Sequence, residues 1–375
     1  MSSTVADPTT ELCDRVRGAA AAGRRLRIEG GGTKAFVTGP VDAEPLSLQT
    51  CTGILSHEPS ELVITARGGT PLAELEAALA DHGQCLPFEP PHFGPGATVG
   101  GMVAAGLAGP ARASVGGLRD YVLGVQLVNG KGERLVFGGQ VMKNVAGYDV
   151  SRALAGSWGQ LGVIAEVSLK VLPVAPAEAT LVFEVDQDRA LERLHRWGGE
   201  PLPLNASCWV RDDTAPGSPE LLFLRLRGAV AAVDAACERL LREHGGQRIP
   251  NAQATGDWAD CREHRLPFFT QVPSPDHGLW RLSVPQTARP LLPEHAQLIE
   301  WHGAQRWLWA PVAAAAHIRA AVHAVGGHAQ LFRAPPAGDG GVRRFDTPSP
   351  ALAVIMQRLR AAFDPQGVFA GPTLF

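Results

Sequence analysis

The chain has 375 residues, with 34 Lys and Arg against 37 Asp and Glu, a formal charge of −3 at neutral pH. That balance supplies no global positive field for nucleic acid or an anionic membrane surface, and 45% hydrophobic with 19% charged residues excludes a disordered or fibrous chain. Six cysteines lie far apart without a C-x-x-C pair, so neither a disulfide framework nor a metal-thiolate cluster is indicated.

At roughly 150 residues per domain, two domains are expected. The first residues lack the basic start and apolar stretch of a secretory signal. The most apolar segment, Pro311 to Val325, is interrupted by His317, Arg319 and His323, so no run approaches the roughly 18 apolar residues of a membrane span. A cytoplasmic protein is expected.

In chain order, a helix is predicted from about Thr10 to Ala22, then a strand Leu26–Glu29 running into Gly30-Gly31-Gly32-Thr33-Lys34. A strand over Leu62–Ala66 precedes a helix with Thr70 as N-cap, Pro71 at its first position, Leu72, Leu75 and Leu79 on one face, and Gly83 as its stop. Pro90 to Gly109 is dense in glycine and alanine. Val122–Val128 and Arg134–Phe137 read as a hairpin closed by Asn129-Gly130-Lys131-Gly132, because Asn and Gly tolerate the positive φ of tight turns. After Lys143-Asn144-Val145-Ala146-Gly147-Tyr148-Asp149 and Gly156-Ser157-Trp158-Gly159-Gln160-Leu161-Gly162, a long strand covers Val163–Leu172.

Pro173-Val174-Ala175-Pro176 marks the expected boundary, since proline ends a strand and stiffens a linker. The domains expected are 1–173, 174–330 and a C-terminal segment 331–375. Beyond the boundary, Thr180–Val185, Leu221–Arg227 and Leu279–Val284 read as strands, and Ala190–Trp197, Ala229–His244 and Ala313–Val325 as helices, the last stopped by Gly326-Gly327. A final helix starts at Ser349-Pro350 with Leu352, Ile355 and Leu359 on one face. No internal repeat is visible.

The four glycine-bearing segments of the first half are the candidate chemistry. Side-chain-free backbone can turn amides toward an anion and press against a flat ligand. Taken singly, the triple glycine fits a tight turn equally well, and Pro90 to Gly109 fits a closely packed helix. Lys143 and Asp149 could equally form a surface ion pair. No G-x-G-x-x-G follows a strand and no G-x-x-x-x-G-K-[ST] occurs, which disfavours Rossmann and P-loop sites. Cys261 and His264 form a single C-x-x-H, weak as a metal site, and none is expected. Arg262, His264 and Arg265 read as a solvated basic face before a carboxylate site. Trp301, Trp307 and Trp309 read as core of the second lobe or as a subunit interface, and His323 and His328 as caps at a helix end.

The phrases IEGGGTK, ATVGGMVAAG, GGLRDYVLGVQLVNGKGE, KNVAGYD and GSWGQLGVIAEVSLKVLP, between Leu26 and Pro173, resemble the FAD-binding domain of the vanillyl-alcohol oxidase and p-cresol methylhydroxylase (PCMH) type. That resemblance implies an α+β fold: a PCMH-type FAD-binding domain of two α+β subdomains, a smaller α+β cap lobe, and a C-terminal helix returning to the first. LPFEPPHFGPGATVGG and the ending AAFDPQGVFAGPTLF are similar to the FAD-binding subunits of bacterial glycolate oxidases. The likeness implies a longer flavin-binding catalytic subunit and an iron–sulfur subunit as partners, a small 2-hydroxy acid as substrate, glycolate oxidised to glyoxylate, and a peripheral place at the inner membrane through those partners.

By position, the resemblance places Gly30, Gly31, Gly32 and Thr33 on one side of the FAD diphosphate and Gly96, Ala97, Thr98, Gly100 and Gly101 on the other. It places Asn144, Gly147 and Tyr148 along the flavin, and Gly159, Gly162, Val163 and Ile164 at the adenine and ribose end or the isoalloxazine backbone edge. Thr33 and Lys34 stand where covalently flavinylated relatives use His or Cys, so attachment is expected to be non-covalent. Met102 replaces a frequent Asn, and Trp158 a small residue or Glu. The H-x-H and G-N-x-H clusters of catalytic relatives are absent from the second half, which implies that substrate oxidation sits in a partner. No catalytic residue is assigned. The alternatives are a self-sufficient FAD-dependent 2-hydroxy-acid dehydrogenase and a structural subunit that has lost the cofactor.

Overall fold

The computed structural model describes residues 7–139, 149–214, 216–372 and 374. It divides into a first unit of residues up to Leu107 with Gly117–Val174 and Thr347–Phe375, and a second of Ala108–Gly116 with Ala175–Asp346. The final return to the first unit therefore starts at Thr347, not at 331, because His328–Arg333 is a strand of the second unit's sheet.

In the first unit, helix Pro8–Ala21 is capped by Asp7, whose carboxylate accepts from the Thr9 amide at 3.1 Å. Leu12, Cys13, Val16 and Ala19 give it one buried face. That face joins an apolar cluster with Leu26, Leu46, Leu48, Val128, Val163, Val368 and Phe369. Strand Leu26–Glu29 pairs in parallel with Glu44–Ser47. On its other side Leu26 donates to Val368 at 2.7 Å and accepts from Ala370 at 2.8 Å.

Buried Asp364 holds this tail, its two carboxylate oxygens accepting from the amides of Val368 and Phe369 at 2.8 Å each. Charge-assisted bonds of this kind are roughly twice as strong as neutral ones. An Asp364→Ala chain should therefore lose about 2 kcal/mol in a urea titration, with earlier proteolysis at the C-terminal tail.

Ile54–Glu58, Val63–Arg67, Val163–Lys170, Val122–Val128 and Arg134–Gly138 form a five-stranded antiparallel sheet in that spatial order. The hairpin closes as expected: Asn129 Oδ1 accepts from the Lys131 and Glu133 amides, both at 3.0 Å, and Gly132 has φ +70°. The helix after the second strand runs Leu72–Ala80 with Pro71 at its N-cap. Thr70 does not cap it; its hydroxyl accepts from the Gly53 amide at 2.9 Å and so ties down another turn.

Helix Pro350–Phe363 also differs from expectation, since it has no buried residue. Its partly covered stripe is Ala353, Met356, Leu359, Arg360 and Phe363, while Leu352 and Ile355 are 48% and 61% exposed.

The second unit is one eight-stranded antiparallel sheet, ordered Gln247–Ile249, Ala177–Glu184, Glu220–Gly228, Leu204–Arg211, Gln297–Glu300, Gln305–Pro311, His277–Ser283, His328–Arg333. Numbering the strands within each half by chain order, the first four read 4-1-3-2 and the last four 2-3-1-4. The first half is a complete β-α-β-β-α-β unit with helices Gln187–Gly198 and Val230–His244. The second half repeats it without the first helix. This internal repeat is invisible in the sequence because the halves share topology and not residues, and because an irregular stretch, 284–296, stands where one copy has a helix.

Two buried polar side chains pin that stretch. The Arg306 guanidinium, with 0% of the residue exposed, donates to the carbonyls of Ala288 at 2.6 Å, Arg289 at 2.8 Å and Gly303 at 3.3 Å. Gln297 donates to those of Leu291 and Leu292 at 2.6 and 2.8 Å. The sheet's two faces differ in character. One is covered by apolar clusters built from Leu222, Leu224, Trp280, Leu308 and the helices. The other carries Glu300, Gln305, Trp307 and Arg281, with Arg281 directly across from Trp307.

Candidate functional site

Strand Leu26–Glu29 delivers the Gly30–Thr33 loop against the backbone of residues 94–98. A β-carbon on Gly31 would lie 1.4 Å from the Gly96 carbonyl oxygen, one on Gly30 2.2 Å from Thr98 Oγ1, and one on Gly94 3.2 Å from Thr33 Cγ2. Only side-chain-free backbone can approach so closely. Among the described residues, the amides of Gly31, Gly32, Thr33 and Gly96 donate to no group of the protein. Runs of undirected amides form an anion-binding concavity. Lys34 lies beside them with its ammonium donating to the His92 carbonyl at 3.2 Å.

Gly100 and Gly101 have structural partners instead. The Gly100 amide donates to Gly68 at 2.7 Å, and the Gly101 amide to Thr98 Oγ1 at 3.2 Å, which caps helix Val99–Ala105. Ala97 is buried, and its carbonyl accepts from Leu72 at 2.8 Å. Met102 is buried in the same helix. Gly68 was not apparent from sequence as part of this assembly: it supports Gly100, whose β-carbon would lie 2.8 Å from the Gly68 oxygen. Its one sequence signal is its place between the predicted strand Leu62–Ala66 and the predicted helix start, which by itself points to no ligand role.

The fourth segment meets the first two. Trp158 donates to Ala104 at 2.9 Å and Gly156 to Val103 at 3.1 Å. A β-carbon on Gly159 would lie 3.4 Å from Ile28 Cδ1, in the strand that feeds the triple glycine. Gly162 has φ +147° and packs against the Val128 carbonyl. Val163 and Ile164 are buried in the strand, Val163 within the apolar cluster, so a ligand could reach them only through backbone. Asn144, Gly147, Tyr148 and Lys143 lie outside the described residues. Asp149 caps the short helix Val150–Ala153 and pairs with Arg152 at 3.0 Å.

The second unit carries a buried polar and aromatic cluster. Glu300 accepts from Trp307 Nε1 at 2.7 Å, Gln305 Nε2 at 3.1 Å and Cys261 Sγ at 3.5 Å, and burial pushes its carboxyl up from the usual range. Trp301, Trp307 and Trp309 are buried core, their indole N–H groups donating to Gly109, Glu300 and Phe268. The expected basic face is overturned at His264. Its ring is buried and stacked on Phe269 at 4.0 Å, and burial holds its pKa well below the usual histidine range, because the following Leu-Pro-Phe-Phe run folds back over it. Arg262 and Arg265 pair with Glu263 and Asp260 at 2.8 and 2.7 Å. His323 bonds Asp346 at 2.8 Å at the end of helix Ala315–His323. Among the described residues no three His, Cys, Asp or Glu side chains are grouped to hold a metal ion, and no helix is long and apolar enough to cross a membrane.

His302 sits between two hydroxyls, Nδ1 at 3.0 Å from Ser207 Oγ and Nε2 at 3.1 Å from Ser114 Oγ. Burial lowers its pKa to about 4 from 6.5. A depressed folded value means that its contribution is complete above pH 6.5 and is lost as pH falls through about 4. Acid titration should remove about 3 kcal/mol over that window. His302→Asn, whose side chain tolerates the +54° φ found here, should flatten the profile between pH 6.5 and 4; an unchanged slope would assign the effect to other groups.

Residues 5–138 match the family described as FAD binding domain. Glycolate oxidase subunit GlcE of Escherichia coli (strain K12) is 43% identical over 97% of this chain and 96% of its own length. The mitochondrial D-lactate dehydrogenase (cytochrome) of Arabidopsis thaliana is 34% identical over 31% of this chain and 20% of its own length, and glycolate oxidase subunit GlcD of Bacillus subtilis (strain 168) is 31% identical over 34% and 27%. Two crystal forms of alkyldihydroxyacetonephosphate synthase align at TM-scores of 0.66 and 0.67, each covering 96% of this chain and 74% of theirs at 15% identity, a likeness of fold alone. With near-complete coverage by one relative and a matching FAD-binding domain, the chain belongs to the family of glycolate oxidase subunit GlcE, on an α+β fold of the PCMH type.

Proposed function

We propose that this chain is the FAD-binding subunit of a glycolate oxidase, working beside a longer flavin-binding catalytic subunit and an iron–sulfur subunit at the cytoplasmic side of the inner membrane. The observation that carries the proposal is the contact of the Gly30–Thr33 loop with Gly96, where four amides have no protein partner among the described residues and a diphosphate would need donors. The residues present fit the cofactor. Gly31, Gly32, Thr33 and Gly96 would hold its diphosphate, with Lys34 supplying positive charge nearby. Gly30 and Gly94 keep the two loops in register, and Gly159 would border the nucleotide through backbone. Asn144, Gly147 and Tyr148 are proposed along the flavin ring. Binding is non-covalent.

When bound, FAD supplies a two-electron acceptor for oxidation of an alcohol to a carbonyl. This chain's own residues orient the dinucleotide, and the rigid supports described for Gly100, Gly101 and Trp158 keep the loops from spreading. Tagged protein isolated from its native host should bring down a longer flavoprotein and an iron–sulfur protein together with glycolate-dependent dye reduction. Isolation as a lone chain with full turnover would overturn the complex, and a chain that takes up no FAD would overturn the cofactor role.

A further inference from the structure

Two arginines on neighbouring strands of the second unit have opposite fates. Arg306 directs its guanidinium to three backbone carbonyls, as described above, and is a structural staple. Arg281, paired in register with Trp307 on the polar face, directs only Nε to a partner, Gln305 Oε1 at 2.8 Å. Among the described residues its terminal nitrogens meet no acceptor and no carboxylate lies within ion-pair distance; Glu300 is already bonded to Trp307, Gln305 and Cys261. The side chain is only partly covered, while protein surrounds its head closely enough that burial lowers its pKa to about 10. The guanidinium is enclosed by protein, its terminal nitrogens meet no acceptor among the described residues, and it remains charged at neutral pH.

A second cation stands close by. The guanidinium carbons of Arg281 and Arg112 lie 5.3 and 4.5 Å from the Trp301 ring centroid, and the Arg112 cation disfavours the charge on Arg281. Trp301 is held there by backbone that side-chain-bearing residues rarely adopt: Trp301, His302 and Gly303 have φ of +54°, +54° and +101°. Strain of this type persists only where surrounding structure enforces it, and it clusters at ligand sites. Ser114, exposed and hydrogen-bonded to neutral His302, adds a hydroxyl at the same place.

We propose that Arg281 and Arg112, set on the Trp301 indole, form an anion site in the second unit that takes a small carboxylate of the 2-hydroxy- or 2-oxo-acid class. The planar fork of a guanidinium matches a carboxylate through two parallel bonds, and one negative charge relieves the repulsion between two arginines sharing one ring. The acid class rests on the proposed function; the anion site does not. Arg281 is an anchoring residue here, with no part assigned in proton or electron transfer.

The test is titration of the purified full chain with glycolate, glyoxylate, phosphate and chloride, read by tryptophan fluorescence and melting temperature, with flavin absorbance measured on the same samples. Saturable responses to the two carboxylates, and weaker ones to phosphate and chloride at equal ionic strength, are expected. Arg281→Lys keeps the charge and loses the fork, and should weaken carboxylate binding at least about tenfold; Arg281→Gln should abolish it. Arg112→Ala, at an exposed position, should weaken binding while far-ultraviolet circular dichroism stays wild-type, and it decides the matter if the Arg281 variants fold poorly. No saturable carboxylate response in the wild type, equal binding by Arg281→Lys, or phosphate binding in preference to carboxylate would overturn the site as proposed. Retained flavin with no carboxylate response would sink this site alone, whereas carboxylate binding by a chain that takes up no FAD would sink the cofactor role and leave the site standing.

Discussion

A Gly31→Ala chain is expected to purify without flavin while keeping wild-type far-ultraviolet circular dichroism. The added β-carbon would sit 1.4 Å from the Gly96 oxygen and 2.3 Å from its carbonyl carbon, backbone atoms that cannot swing aside as a side chain does. Relief requires the two loops to part, which moves the amides of Gly31, Gly32 and Thr33 away from that of Gly96. An FAD dissociation constant raised at least about 100-fold, about 2.8 kcal/mol, is the expected size. Two neighbouring changes calibrate it. Gly32→Ala meets nothing within 4 Å but must hold φ +69°, a penalty of about 1–2 kcal/mol. Gly96→Ala would meet the Gly31 oxygen at 3.3 Å, which a small shift relieves. Affinity should therefore fall most at Gly31, and a ranking with Gly96 worst would place the diphosphate elsewhere.

Arg306→Met should lower the unfolding free energy by about 3 kcal/mol in urea without changing flavin content. The substitution keeps a long apolar stem in a fully buried position and removes donors from the carbonyls of Ala288, Arg289 and Gly303. Each buried carbonyl left bare costs roughly 1–3 kcal/mol, reduced where the 284–296 stretch can turn it to water. Arg306→Lys should recover part of the loss, since an ammonium can serve some of the three acceptors without the planar fork. The guanidinium here does the work that the missing helix does in the other half of the sheet, so limited proteolysis should open the variant within 284–296 before other segments. A loss below about 1 kcal/mol would show that the stretch is held by Gln297 and its apolar side chains instead.

Much of the first unit was legible in the sequence because its signals are local. The Asn129-Gly130-Lys131-Gly132 turn needs only positive φ and Asx hydrogen bonds, both properties of those residue types. The triple glycine after LRIE was readable as a close-approach point, but its partner was not: that Gly31 lies on Gly96, 65 positions away, is a tertiary fact. Thr70 misled because a Thr-Pro pair before an apolar run has the look of a helix start, whereas its hydroxyl serves Gly53. Helix Pro350–Phe363 showed the right period with its packed stripe turned by one residue, since Ala353 and Met356 give a weaker pattern than Leu352 and Ile355.

The second unit was legible only in part, for two physical reasons. Strands such as Gln297–Glu300 and Gln305–Pro311 are buried along nearly all their length, so the alternation that marks a half-exposed strand is missing. The polar cluster depends on residues such as Arg281 and Glu300 that resemble surface charges until burial and neighbours are known. His264 shows the same difficulty: Arg262 and Arg265 on either side make it look solvated, and the Phe269, Trp307 and Phe332 rings around it make it core.

The two halves of the second sheet meet along a short seam, where Cys208, Trp209 and Val210 pair with Glu300, Ile299 and Leu298. A slip of one position would turn Glu300 into the oily layer and strand Ile299 opposite it, so that misalignment cannot close without burying a bare acid. Each half can gather its own strands from nearby sequence, but the zipper between them joins residues about ninety positions apart and must wait for both. The slowest step on the way to the native state is therefore expected to be this mating of two preassembled halves, with the carboxyl of Glu300 acting as the proofreader of the join.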